Sequence, residues 1–256
     1  MVIKLKDKLR TKSIDKDSLI FSIKDYDNLM ESFRNSLISW FNKEGRDLPW
    51  RHTRDPYHIL VSELMLQQTN VRLVIPIYLK FIKKFPTLQI LSQAPLSEIK
   101  MLTDQLGYKK RGEYLHRIAK QIMDEFNGEF PNSLEGLLSL KGIGRYTAGA
   151  ILSFAFGVNE KTAAIVDVNV ERVLSRVFGI WDLEKNSEYN KIIWKLSEDM
   201  LDGKNVWDIN QGIMDLGALI CVSQNPRCLL CPMMNFCKYY FQVVPKIIPL
   251  DNFFNN

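Results

Sequence analysis

Apolar residues recur at helical spacing through most of this chain, and the alternation that marks a strand is nearly absent. Between Asp27 and Asn42, Leu29, Phe33, Leu37, Trp40 and Phe41 outline an amphipathic first helix that ends near Gly45. After breaks at Pro49 and Pro56, helical patterns follow at about 57–69, 71–84, 95–105, 110–127, 133–139, 146–157, 169–178, 187–200 and 206–219. Pro86, Pro95, Gly107, Gly128, Pro131, Gly142 and Gly157 fall between them, and no internal repeat or low-complexity segment interrupts the series. The expected fold class is all-α. At 256 residues, 46% of them hydrophobic, the chain can bury a substantial core as one domain or two closely packed ones.

Within this framework Leu140 to Glu171 is the most pointed stretch. Lys141-Gly142-Ile143-Gly144-Arg145 places two glycines one residue apart at a helix start. That permits a tight turn whose amides face outward and suit an anion such as a phosphate, with Lys141 and Arg145 adding positive charge. The same pattern is also an ordinary helix connector. Further on, Asp167 is a lone carboxylate among apolar residues, well placed to cap the helix that begins near Asn169. Glu63 stands in the apolar run from Ile59 to Leu66, where burial would raise its pKa; a solvated helix face is the alternative.

All four cysteines, Cys221, Cys228, Cys231 and Cys237, follow a C-x6-C-x2-C-x5-C spacing, and the rest of the chain has none. Soft thiolates suit zinc, copper or iron–sulfur clusters, while disulfides are disfavoured in a reducing compartment. Structural zinc sites more often use two C-x2-C pairs well apart. Arg227 and Lys238 lie beside the cysteines and could reach phosphates. The formal charge of +5 and pI near 8.9 suit a polyanion partner without demanding one. No run approaches eighteen apolar residues, and the N-terminus lacks the apolar core of a signal peptide, so the expectation is an intracellular protein with no membrane contact. Residues 1–25 are expected to form a basic tail and 241–256 a C-terminal one.

Four stretches together carry a family likeness: Leu48-Pro49-Trp50-Arg51, the SELMLQQT run from Ser62 to Thr69, the hairpin with its VDVNVERV continuation, and the cysteine loop. Over roughly residues 30–240 the chain resembles the endonuclease III superfamily of helix-hairpin-helix DNA glycosylases, with the MutY-type adenine glycosylases the nearest branch. The resemblance implies a six-helix barrel over 54–158, with the hairpin at about 134–157. It also implies a discontinuous cluster domain from 26–53 and 159–240, a DNA cleft between the two, and one 4Fe-4S cluster on the four cysteines.

Removing a base breaks an N-glycosidic bond through an oxocarbenium-like state, which calls for an acid on the departing base and a carboxylate near the cation. The resemblance assigns these roles to Glu63 and Asp167, and places Asn169 on the sugar and water. Tyr146 occupies the position where bifunctional relatives carry a Schiff-base lysine. A phenol forms no imine, so the expected activity is base hydrolysis without strand cleavage.

The same likeness puts Gln68 and Tyr108 in the base stack around the orphaned partner, with Thr69 and Leu106 beside it. Trp50, Arg51, Val71, Gln211 and Asp215 surround the extruded base. Gln211 is the expected specificity residue for adenine. The substrate implied is double-stranded DNA with a mismatched or damaged pair, bound by a monomer. Two departures point elsewhere. The thymine branch shares RHTRDPY-like and VDxN segments, the tyrosine and a short C-terminus, although it has arginines at Gln67 and Gln68 and leucine at Gln211. Only nineteen residues follow Cys237, where bacterial adenine enzymes carry a further domain that helps read 8-oxoguanine. Thymine or uracil removal opposite G is therefore the alternative, and a non-catalytic iron–sulfur DNA-binding protein the third reading.

Overall fold

A computed structural model describes residues 23–244, and among these the only regular structure is helical. The chain runs through α1 (Ile23–Glu44), α2 (Pro56–Leu66), α3 (Val71–Lys84), α4 (Leu88–Gln93), α5 (Leu96–Thr103) and α6 (Arg111–Glu125). It continues through α7 (Leu134–Ser139), α8 (Arg145–Phe154), α9 (Val168–Phe178), α10 (Ser187–Met200), α11 (Val206–Leu219) and α12 (Lys238–Gln242). The expected tails fall largely on residues 1–22 and 245–256, which lie outside the described residues; α1 starts inside the first tail and α12 ends inside the second.

Local chemistry explains most boundaries. Asp55 accepts from the Tyr57 amide at 2.8 Å and Pro56 opens α2, while Asn70, Thr87, Ser133 and Asn186 cap α3, α4, α7 and α10 in the same way. Gly179, at φ 78°, closes α9 in the left-handed conformation. Two expectations need correction. The pattern read as helix over 57–69 stops at Leu66, because Gln68 turns left-handed at φ 55° and Asn70 begins a new cap. Helices α4 and α12 lie outside the expected ranges: α4 is set by its Thr87 cap, and α12 is only five residues long.

The central helices are α2 and α8. Every residue of α2 from Ile59 to Met65 is buried, as is every residue of α8 from Thr147 to Phe154. They pack on each other, α3 and α6 pack on α2, and α7 packs on α8. A second packing group joins α1 lengthwise to α11, with α9 against α10, α11 and α12. Gly217 lets α11 reach the start of α9: a Cβ there would lie 2.6 Å from the Asn169 Cβ. That approach sets the distance between two elements that carry site residues.

Candidate active site

Glu63 hangs from the buried stretch of α2. Its side chain is 4% exposed, and Tyr146 Oη donates to its Oε2 at 2.7 Å. Burial pushes the Glu63 carboxyl up to about 7; the Tyr146 hydrogen bond and the Arg51 charge oppose that rise, and the charge of Asp167 adds to it. Burial, together with the charges of Glu63 and Asp167, also holds the Tyr146 phenol well above its ordinary range, so it stays a neutral donor. Met214 Sδ lies 3.5 Å from the same hydroxyl.

Asp167 is the N-cap of α9. Its Oδ1 accepts from the amides of Asn169 at 2.9 Å and Val170 at 2.7 Å, and its Oδ2 accepts from Asn169 Nδ2 at 2.9 Å. These donors and the helix N-terminus complement its negative charge. Asn169 is itself held, its Oδ1 accepting from Arg172 Nη2 at 2.7 Å. Arg172 goes on to donate to the carbonyls of Gly217 and Cys221, both at 2.7 Å, so one side chain connects the carboxylate's neighbour to the first cysteine.

A third group knits α11 to the segment before α2. Asp215, fully buried, accepts from Arg51 Nη1 and Nη2 at 2.9 and 2.8 Å, and from the Arg46 backbone amide, Nε and Nη2 at 2.8, 2.9 and 2.6 Å. Arg51 Nε donates to Gln211 Oε1 at 2.7 Å. Because Arg51 can only donate, this contact fixes the Gln211 amide and leaves its NH2 for another partner. Trp50 is buried edge-on against Tyr78, at 5.2 Å between rings.

Two loops follow α2 and α5. Gln68 is exposed, Thr69 Oγ1 donates to the Leu106 carbonyl at 3.1 Å, and Tyr108 lies half-buried past Gly107, at φ 91°. Leu106 is buried, and Val71 opens α3 half-buried. The hairpin residues sit apart from the carboxylates. Gly142 adopts φ 115°, Lys141 and Gly144 are exposed, and no side chain caps α8. The Arg145 guanidinium lies 4.1 Å over the Trp194 ring and pairs with Glu198 at 2.5 Å, which engages it with α10.

The four cysteines line one cavity together with Arg176, Met234 and Tyr239. Arg176 donates to the Val222 and Ser223 carbonyls at 2.7 and 2.9 Å and lies 3.5 Å from Cys221 Sγ. Burial pushes the Cys231 thiol up to about 12 and Cys237 to about 11. Among the described residues no three His, Cys, Asp or Glu side chains gather as a single metal ion would require. Arg46, Arg111, Arg172 and Met214 were not expected at the site from sequence. Of these only Arg111 leaves a trace there, a charge on the apolar stripe of α6.

The chain thus joins a glycine-hinged turn before α8, a buried acid on α2 and a carboxylate that caps α9. Residues 61–199 match the HhH-GPD superfamily of base excision DNA repair proteins, and the chain belongs to that family. It is 42% identical over 210 residues to the adenine DNA glycosylase of Buchnera aphidicola (subsp. Baizongia pistaciae), a match covering 81% of this chain and 58% of that relative's length. It is 38% identical over 210 residues to the thymine/uracil-DNA glycosylase of Methanothermobacter thermautotrophicus, covering 81% of this chain and 93% of that one. A solved thermostable thymine-DNA glycosylase superposes with a TM-score of 0.77 at 35% identity, over 84% of this chain and 98% of that chain.

Proposed function

We propose that this chain is a monofunctional DNA N-glycosylase that hydrolyses the bond between deoxyribose and adenine opposite G or 8-oxoguanine. The observation that carries the reading is the Tyr146–Glu63 contact: a buried carboxyl held near pKa 7, beside the charge of Asp167. Tyr146 donates to one oxygen of Glu63, which leaves the other to carry a transferable proton. Glu63 protonates the departing base, and Asp167 steadies the sugar cation while Asn169, held by Arg172, orients the water. Tyr146 forms no imine, so the strand stays intact.

Base choice rests on Gln211, whose free NH2 and remaining lone pair suit the N7 and N6 edge of adenine. Thymine or uracil removal opposite G is the second reading, favoured by 38% identity to the thymine/uracil enzyme and 35% to the solved thymine-DNA glycosylase. The spacing of the four cysteines and their place around one cavity suit one 4Fe-4S cluster, which would cross-link the loop. We assign residues 54–158 to the barrel, and 26–53 with 159–240 to the cluster domain of a monomer, with duplex DNA between them contacted by Lys141 and the amides of α8. Single-turnover assays on A:8-oxoguanine, A:G, T:G and U:G duplexes test the function: adenine release is expected, and Asp167→Asn should slow it by about 100-fold or more while DNA binding persists. Near-normal excision by that variant refutes the mechanism.

A further inference from the structure

Arg111, at the start of α6, is fully buried, although its side chain carries a permanent charge. Its partners are four main-chain carbonyls and one hydroxyl, with no carboxylate among them. Nε donates to Leu64 O at 2.9 Å, Nη1 to Leu106 O at 3.0 Å and to Tyr108 O at 3.3 Å, and Nη2 to Gln67 O and Thr69 Oγ1. All five guanidinium N–H groups are therefore used. Burying a cation costs several kcal/mol, and a site that bears that cost without a counter-charge is more than a filler of space.

The pattern of acceptors is informative. Gln68 at φ 55° and Gly107 at φ 91° are the left-handed residues of the two loops. Arg111 donates to the residues on both sides of each: Gln67 and Thr69 around one, Leu106 and Tyr108 around the other. Its guanidinium also lies 5.6 Å over the Tyr108 ring. A non-glycine residue held left-handed persists only when its surroundings over-determine it, and here one side chain does so for both loop tips at once.

We propose that Arg111 is the positioning residue that locks the loops of Gln68 and Tyr108 into a single wedge, so that the bound duplex, and not the protein, distorts when a base pair is opened. The inference rests on the glycosylase reading above. A pre-set wedge spends no binding energy on ordering itself, so its loss should slow extrusion of a paired base and spare the chemistry on a base already unpaired.

Arg111→Lys keeps the charge but offers at most three donors. Single-turnover release of adenine is measured from an A:8-oxoguanine duplex and from a duplex with the same adenine opposite an abasic site. The ratio of the two rates should fall at least about 10-fold in Arg111→Lys, and by less in Thr69→Val, which keeps the guanidinium and its four carbonyl partners and removes only the hydroxyl with its own bonds to the Arg111 guanidinium and the Gln67 and Leu106 carbonyls. A parallel fall on both substrates, or no change on either, overturns the proposal and leaves Arg111 as a fold-stabilising residue. If circular dichroism shows Arg111→Lys unfolded, Thr69→Val decides by the same ratio. A wild type that releases thymine from T:G has the ratio read on thymine. A wild type that releases no base defeats the glycosylase reading alone; the wedge is then read from 2-aminopurine beside the mismatch, whose fluorescence should rise on binding wild type and stay low with Arg111→Lys. Absence of that rise in the wild type overturns the wedge.

Discussion

Asp215 on α11 and Glu63 on α2 are both closed off from solvent, and burial raises the pKa of each, yet they end on opposite sides of their ordinary values. Around Asp215, hydrogen bonds and charge from Arg51 and Arg46 outweigh the burial, and its pKa lies below the usual aspartate range. Among the described residues the one hydrogen-bond donor to Glu63 is the neutral phenol of Tyr146, and burial wins. Arg51 takes part in both regions: it bonds Asp215 directly and reaches Glu63 only through its field. Location inside the protein therefore does not decide protonation; the number of charged donors does. One acid is a charged knot that fixes Arg51 and Gln211, and the other keeps its proton up to about pH 7, as the proposed role of general acid requires.

The sharpest way to break the contrast is Glu63→Gln, which keeps the Tyr146 contact and removes the proton. Excision should fall by about 10²- to 10⁴-fold, the range expected for losing general acid catalysis. Stability should move the other way. The folded-state pKa of Glu63 lies above its ordinary 4.5, so the folded chain holds a proton that the unfolded chain gives up between pH 4.5 and about 7. Wild-type stability falls as pH rises through that window and changes no further above it. Glu63→Gln should recover on the order of 3 kcal/mol at pH 8 and almost nothing at pH 4. Urea melts at both values check this, and a variant less stable than wild type at pH 8 would place Glu63 in the charged class with Asp215.

Asp215→Asn tests the other acid. It leaves two guanidiniums against a weaker acceptor and should cost about 3–5 kcal/mol at neutral pH. Its Tm should drop by roughly 6–20 °C for a chain of this size. The stabilising contribution of a carboxyl with a lowered pKa is complete above its ordinary value of 3.8 and is lost as pH falls through the folded value, so the gap between variant and wild type should close in acid. A constant gap across pH would mean that shape, not charge, holds the knot.

Activity against pH separates the two acids again. If Glu63 must carry the proton, single-turnover excision falls as pH rises through about 7, towards tenfold per unit. Tyr146→Phe, which removes the hydrogen bond that lowers the Glu63 pKa, should shift the fall to higher pH. An unmoved profile would detach the limb from Glu63.

The helices and half of this contrast were legible in the sequence. Glu63 stands out as a carboxylate in an apolar run, a pattern that fits a buried acid or a solvated face, and Asp167 as a helix cap; the family resemblance, not composition or spacing, is what joins the two in one site. Asp215 was expected near the base, but nothing in the sequence joins it to Arg46, which pairs with it across 169 positions of chain. The over-extended α2 has the same origin: Gln67 to Thr69 are acceptable helix residues, and the break is secured by Arg111, more than forty positions later. Arg111 did leave a signal, since it shares the stripe of Leu115, Ile118 and Ile122 on α6, all buried. A charge on an apolar stripe identifies a buried ion, though not its partners.

The smallest expected effect concerns what the Asp215 knot holds in place. Arg51 Nε fixes the Gln211 amide, and Asp215 fixes Arg51, so the charged region orients a neutral group whose NH2, on the proposed reading, meets the extruded base. Gln211→Leu removes a polar partner worth about 1–3 kcal/mol of discrimination, and adenine release should fall roughly 5- to 150-fold by the exponential dependence of rate on barrier. Thymine is smaller and offers carbonyls and a methyl group where adenine offers an amine and N7, so release from T:G should suffer far less or rise. The ratio of the two rates is the quantity to measure, because losses from misfolding cancel in it. A wild type that already prefers T:G, with a ratio unmoved by Gln211→Leu, would move the chain to the thymine branch. In that case the knot would hold Gln211 only as a packing residue, and base choice would lie with the loops that Arg111 fastens.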